Sequence, residues 1–85
     1  MGTAMMENIR DIVAQYGGVS IDVASLDEAA DLYAAGMTSF ASVNLMLGLE
    51  EAFSIEFPDV MLTRKTFGSL AAIAEAIAKL SGKTA

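Results

Sequence analysis

The sequence contains neither cysteine nor histidine. Without them the usual general bases and zinc ligands are missing, and a Ser-His-Asp arrangement cannot be assembled. No disulfide can staple the fold and no thiol site exists, which fits a reducing cytoplasm. Positive charge is almost as scarce. The formal net charge is −6, no Lys or Arg falls between Arg10 and Arg64, and nine of the eleven acidic residues do. A nucleic-acid binder needs a basic footprint, so that class is excluded, and a basic or strongly electropositive partner surface is favoured instead. Acids interrupt every apolar run before it could span a bilayer. The start Met1-Gly-Thr-Ala-Met-Met6 lacks a basic n-region, and Met6 stands where a myristoylation signal needs Ser or Thr. The expectation is a cytoplasmic chain with no membrane partner.

Other signatures are equally absent. There is no Gly-rich phosphate loop, no Gly-x-Ser-x-Gly elbow, no internal repeat and no low-complexity tract. Asp22, Asp27, Glu28 and Asp31 lack the alternation and central glycine of a calcium loop, and read as a solvated face.

What is present is helical periodicity. Met5, Ile9, Ile12, Val13 and Tyr16 recur at helical spacing, and Gly17-Gly18 ends that helix, expected over 4–16. Val19, Ile21 and Val23 alternate with polar residues as in a strand, but no second strand-like segment exists to pair with them. The segment is expected to cross the molecule extended, with its apolar side chains dipping into a helical core. Ser25-Leu-Asp-Glu28 resembles a capping start, so a helical turn is expected near Leu26–Leu32. A second long helix is expected over 39–53. Pro58-Asp59 opens a short one over 59–64, closed by Arg64-Lys65. Thr66 caps the last helix, 67–80, on a stripe of Leu70, Ile73, Ala74, Ile77 and Leu80, with Gly82 following it. One domain of 85 residues, a small all-α four-helix bundle with a long first loop, accounts for this pattern.

The segment Asp31–Phe53 organises the rest. Gly36 gives the backbone freedom for a sharp entry, Thr38 can cap a first-turn amide, and Ser39 occupies the first helical position. An anionic group on the Ser39 oxygen would meet the positive end of the helix. A serine with no base cannot activate itself, so a functional Ser39 must be modified by another enzyme. The helix is too apolar for one core. Leu45, Met46, Leu49 and Phe53 form one stripe, and Phe40, Val43 and Leu47 a second beside it. Together they span roughly 220° of the wheel, against the roughly 100° that one core needs. Either the helix is packed on several sides, or the second stripe is a docking surface.

Asp31-Leu32, Gly36, Thr38-Ser39-Phe40, Val43, Leu45, Leu49-Glu-Glu-Ala-Phe53 and Ile55-Glu-Phe-Pro-Asp59 resemble the acyl carrier protein family over nearly the whole chain. The resemblance implies that Ser39 bears 4′-phosphopantetheine, transferred from coenzyme A by a phosphopantetheinyl transferase. The arm would hold cargo as a thioester for a downstream acceptor enzyme. It also implies that Thr38, Phe40, Val43, Leu47 and Glu51 face partners, that the protein is not itself an enzyme, and that it is a monomer. The sequence departs from the family's usual pattern at Thr38, where Asp is usual, and at Phe40, where Leu is. Ala41, Asn44 and Ala52 fall where acids are frequent. The run Asp31-Leu-Tyr-Ala-Ala-Gly-Met-Thr-Ser-Phe-Ala-Ser-Val43 is similar to that of bacterial aminoacyl carrier proteins. Those are loaded by amino acid:carrier-protein ligases related to class II aminoacyl-tRNA synthetases. The competing expectations are an ordinary fatty-acid acyl carrier and an unmodified helical adaptor that grips a partner helix with the Phe40-Val43-Leu47 stripe.

Overall fold

The computed structural model describes residues 2–19 and 22–81. Ser20 and Ile21 of the expected crossing, and Gly82 after the last helix, lie outside the described residues. In chain order the elements are α1 (Gly2–Tyr16), a 3-10 turn (Val23–Ser25), α2 (Ser39–Phe53), a 3-10 turn (Asp59–Met61), α3 (Arg64–Phe67) and α4 (Leu70–Ser81). No strand occurs among the described residues, and the all-α class holds.

The core forms where the apolar stripes of the three longer helices converge. Ile9 and Val13 of α1, Leu45 and Leu49 of α2, and Leu70, Ile73 and Ile77 of α4 are fully buried. Each such side chain contributes on the order of 1.5–3 kcal/mol by leaving water. The long first loop sends Val23, Leu26, Leu32 and Met37 into the same cluster, so it acts as a fourth wall. Phe57 and Phe67 close one end edge-to-face, with ring centroids 5.1 Å apart.

A loop this long must find partners for its backbone polar groups. It finds them on α1, on α4 and at the junction between α3 and α4. One guanidinium nitrogen of Arg10, on α1, donates to the carbonyls of Val23 and Leu26, both at 2.7 Å. The Leu32 amide donates to the Gly68 carbonyl at 2.7 Å, and the Ala71 amide donates to the Glu28 carbonyl at 2.9 Å. The Arg64 guanidinium lies over the Tyr33 ring, 3.9 Å from its centroid.

Three expectations about local structure are corrected. The helical turn of the first loop falls on Val23–Ser25, before Leu26–Leu32. Asp22 is the residue that caps it, its carboxylate accepting the Ala24 amide at 3.1 Å. Asp27 and Asp31 cap the turns that follow, accepting the amides of Ala29 at 2.8 Å and Tyr33 at 2.9 Å. These acids are exposed, as a solvated face would be, but each also fixes a turn. Second, the helix expected over 59–64 is two pieces, a 3-10 turn and the start of α3. The Thr63 hydroxyl accepts the Thr66 amide at 3.2 Å, so Arg64-Lys65 open α3 where they were expected to close its predecessor. Third, the last helix starts at Leu70, not 67, with the Ser69 hydroxyl accepting the Ala72 amide at 3.1 Å. The chain breaks at Gly68 because its carbonyl is turned to Leu32 and the Phe67 ring is turned into the core.

Candidate functional site

The approach to Ser39 is built locally. Gly36 has φ of 117°, a left-handed conformation that glycine adopts at no steric cost. Met37 is then driven into the core, and its amide donates to the Leu32 carbonyl at 3.0 Å. Thr38 turns extended, with φ −91° and ψ 164°, and its hydroxyl accepts the Ala41 amide at 3.0 Å. This is the N-cap that the sequence suggests, worth about 1 kcal/mol. With Met37 buried on one side and the cap closed on the other, Ser39 is held at the first position of α2. Its side chain is exposed, and no described residue hydrogen-bonds to its hydroxyl. The Ser39 carbonyl accepts from the Ser42 hydroxyl at 2.7 Å, a bond that stiffens the first turn.

The apolar side chains of α2 divide into two groups. Leu45 and Leu49 are buried, with Met46 and Phe53 packed half-buried beside them. Phe40 is 78 % exposed, Val43 51 % and Leu47 52 %. The central helix is therefore not packed on all sides. Phe40, Val43, Leu47 and exposed Glu51 fall within about 80° of the helical wheel.

The third side of α2 was not apparent in the sequence. Gly48 lies against α1, so close that a Cβ there would sit 2.8 Å from two carbons of the Tyr16 ring and 3.3 Å from Ile12. The missing side chain lets an aromatic ring lie on the helix backbone. Beyond α2, Val60 and Leu62 also stay exposed, at 84 % and 43 %, and only Met61 of that apolar triplet reaches the core. Among the described residues no group of acids could hold a metal ion, and no helix is long and apolar enough to cross a membrane.

The comparisons with known proteins converge on one family. Residues 7–77 match the family described as a phosphopantetheine attachment site. An aminoacyl carrier protein of Agrobacterium fabrum is 52 % identical over 82 residues, 95 % of this chain and 99 % of that protein. Among solved structures, a chain in the crystal structure of an engineered Bradyrhizobium japonicum glycine:[carrier protein] ligase complexed with a carrier protein from Agrobacterium tumefaciens and ATP matches with a TM-score of 0.86. The identity is 51 %, covering 89 % of this chain and 99 % of that one. A more distant match is a chain in the crystal structure of the Bradyrhizobium japonicum glycine:[carrier protein] ligase complexed with glycylated carrier protein. There the TM-score is 0.63 and the identity 27 %, covering 86 % of this chain and 93 % of that one.

The fit to the implied cofactor can be judged on the chain itself. A phosphodiester needs an accessible hydroxyl and a place for its charge, and an exposed serine at a capped helix start offers both. The chain belongs to the phosphopantetheine attachment-site family, among the aminoacyl carrier proteins, and its covalently attached cofactor is 4′-phosphopantetheine.

Proposed function

We propose that this protein is a single carrier domain that receives an amino acid from an amino acid:carrier-protein ligase and presents it to an acceptor enzyme. Its point of attachment for the arm is Ser39 Oγ. The observation that carries the assignment is the exposed Ser39 hydroxyl at the start of a capped, core-anchored helix, beside three exposed apolar side chains. Thr38 holds the helix start, and the first-turn amides of α2 offset the phosphodiester charge. Phe40, Val43, Leu47 and Glu51 form the face that partners meet. The arm's terminal thiol supplies the thioester bond to the cargo. This chain's residues position that bond and catalyse no step. The cargo is a small amino acid such as glycine, in keeping with the ligase complexes that its relatives form. The protein works as a monomer in the cytoplasm, after a phosphopantetheinyl transferase has moved the arm from coenzyme A.

The test is intact mass in two stages. Incubation with coenzyme A and a phosphopantetheinyl transferase adds one arm to the wild type and none to Ser39→Ala. The substitution leaves the circular dichroism spectrum unchanged, because an exposed position of this kind shifts stability by less than about 0.5 kcal/mol. Glycine, ATP and the Bradyrhizobium japonicum ligase then add one glycyl group to the modified protein, released by hydroxylamine. An arm on Ser39→Ala would sink the attachment site. Fatty acid taken up from host lysate with no amino acid taken up would return the protein to the ordinary acyl carriers.

A further inference from the structure

The arm attached to Ser39 brings a phosphodiester charge to the start of α2, a helix with no Lys or Arg anywhere along it. Its partners on this chain must therefore be amides and hydroxyls. The Ala41 amide is already taken by the Thr38 hydroxyl at 3.0 Å, and the Ser42 amide by the Thr38 carbonyl at 2.9 Å. The amides of Ser39 and Phe40 open the helix and make no hydrogen bond to a described residue. They face the charge as the positive end of the helix, but they belong to the residues that carry it and its neighbour. A side-chain donor has to come from one turn further on.

Ser42 supplies it. Side chains three apart on a helix are neighbours, about 5–6 Å between Cβ atoms, and those at consecutive positions are not. Helical side chains also lean toward the N-terminus, so the Ser42 hydroxyl leans back toward Ser39. It now donates to the Ser39 carbonyl at 2.7 Å. That bond is expendable, because the same carbonyl accepts the Val43 amide in the helix ladder and is satisfied without it. A hydrogen bond to an anionic oxygen is roughly twice as strong as one to a neutral carbonyl. Ser42 is also half-buried, which shields such a bond from water better than exposed Ser39 or Thr38 could. On the wheel it lies about 60° from Ser39 on the side of Leu45 and Leu49, whereas Val43 and Phe40 lie about 40° and about 100° to the other side.

We propose that Ser42 is a positioning residue for the arm: once Ser39 is modified, the Ser42 hydroxyl turns from the Ser39 carbonyl and donates to a non-bridging oxygen of the phosphodiester. The contact draws the root of the arm to the core side of Ser39 and leaves Phe40, Val43 and Leu47 uncovered by it. The inference rests on attachment at Ser39, as proposed above.

Wild type, Ser42→Ala, Ser42→Val and Ser42→Thr are compared before and after incubation with coenzyme A and a phosphopantetheinyl transferase, with intact mass verifying one arm. Thermal unfolding of each pair closes a cycle that cancels whatever a substitution does to the bare helix. Attachment is expected to raise the midpoint of wild type and Ser42→Thr by about 3 °C more than that of Ser42→Ala and Ser42→Val, which lack the hydroxyl. The phosphorus NMR resonance of the modified protein is expected at the wild-type position in Ser42→Thr and displaced from it in the other two. Equal midpoint changes in all four, Ser42→Thr grouping with the hydroxyl-free pair, or one phosphorus resonance position for all would overturn the proposal. Transfer of the arm to Ser42→Thr but to neither Ser42→Ala nor Ser42→Val would place the partner of the hydroxyl in the transferase, and overturns it too. The mass separates the two levels of argument. No arm on wild type, or an arm on Ser39→Ala, removes the attachment reading and this inference together. One arm on wild type with a cycle that closes to zero removes this inference alone.

Discussion

Leu45 and Leu49 are inaccessible to water, while Val43 and Leu47, on the same helix and no less apolar, stay about half exposed. The two faces of α2 differ in their neighbours, not in their side chains. One face is buried in the common core with Ile9 and Val13 of α1, the α4 stripe and the loop residues Leu32 and Met37. A third side, made small by Gly48, meets α1 through the Tyr16 ring. Phe40, Val43 and Leu47 are left over, and a chain of 85 residues folds around one modest core. Surplus apolarity in a small domain thus marks the surface that another molecule covers.

The comparison can be broken most severely at Leu49. Leu49→Asp forfeits about 1.5–3 kcal/mol of burial and places a carboxylate without a partner in the core. The total approaches the roughly 5–15 kcal/mol that holds a domain of this kind together, so urea unfolding is expected to show no native baseline. Gly48 tests the third side. Gly48→Leu is expected to cost up to about 2 kcal/mol, the roughly 1–3 of overpacking against Tyr16 less the roughly 1 regained by removing a helical glycine. Gly48→Ala is expected near neutral, because the exposed Tyr16 ring can shift and the same propensity gain offsets it. A thermal midpoint for Gly48→Leu raised above wild type would mean that α1 does not approach there. Val43→Asp, the partner experiment to Leu49→Asp, is expected to move stability by no more than about 0.5 kcal/mol while abolishing ligase binding. Equal unfolding of Val43→Asp and Leu49→Asp would erase the distinction between the faces. The smallest effect lies where both faces end. Ser54 has φ of 54°, a left-handed conformation that costs a side-chain-bearing residue roughly 1–2 kcal/mol. Ser54→Gly relieves that strain but adds about 0.5–1 kcal/mol of backbone entropy to be lost on folding. A net gain of about 0.5 kcal/mol is expected in the urea midpoint.

The legible parts of this chain were those decided within a few residues. The Ile9-Val13 and Leu45-Leu49 spacings place α1 and α2, and a threonine before the apolar run places the start of α2, because capping is local chemistry. The α3–α4 region was misread for the opposite reason. Thr63, Thr66 and Ser69 are spaced three apart and each can cap a helix. The choice falls on Thr63 and Ser69 through the bond from Leu32 to the Gly68 carbonyl, which sequence spacing cannot reveal. Arg10 was read only as the last cation before a long acidic stretch, yet it ties two loop carbonyls to α1. In the candidate site, the Phe40-Val43-Leu47 stripe could be read as the outer face, but a helix packed on several sides stayed open until the exposures were known. Gly48 adds nothing to an apolar pattern, although its lack of a side chain is what admits α1.

The ring that rests on Gly48 also furnishes a spectroscopic gauge. Protons held over or beside an aromatic face are displaced by its ring current, and the effect fades steeply with distance. The Gly48 α-protons lie against Tyr16, about 100° around α2 from Leu47. Their resonances are set apart from those of other glycines by a contact that docking does not touch directly. If a partner only covers the outer face, they stay fixed while the trio's signals move. If α2 slides or rolls when its outer face is gripped, the Gly48 resonances drift in proportion, and a glycine with no side chain records the tilt of the helix that bears the cargo.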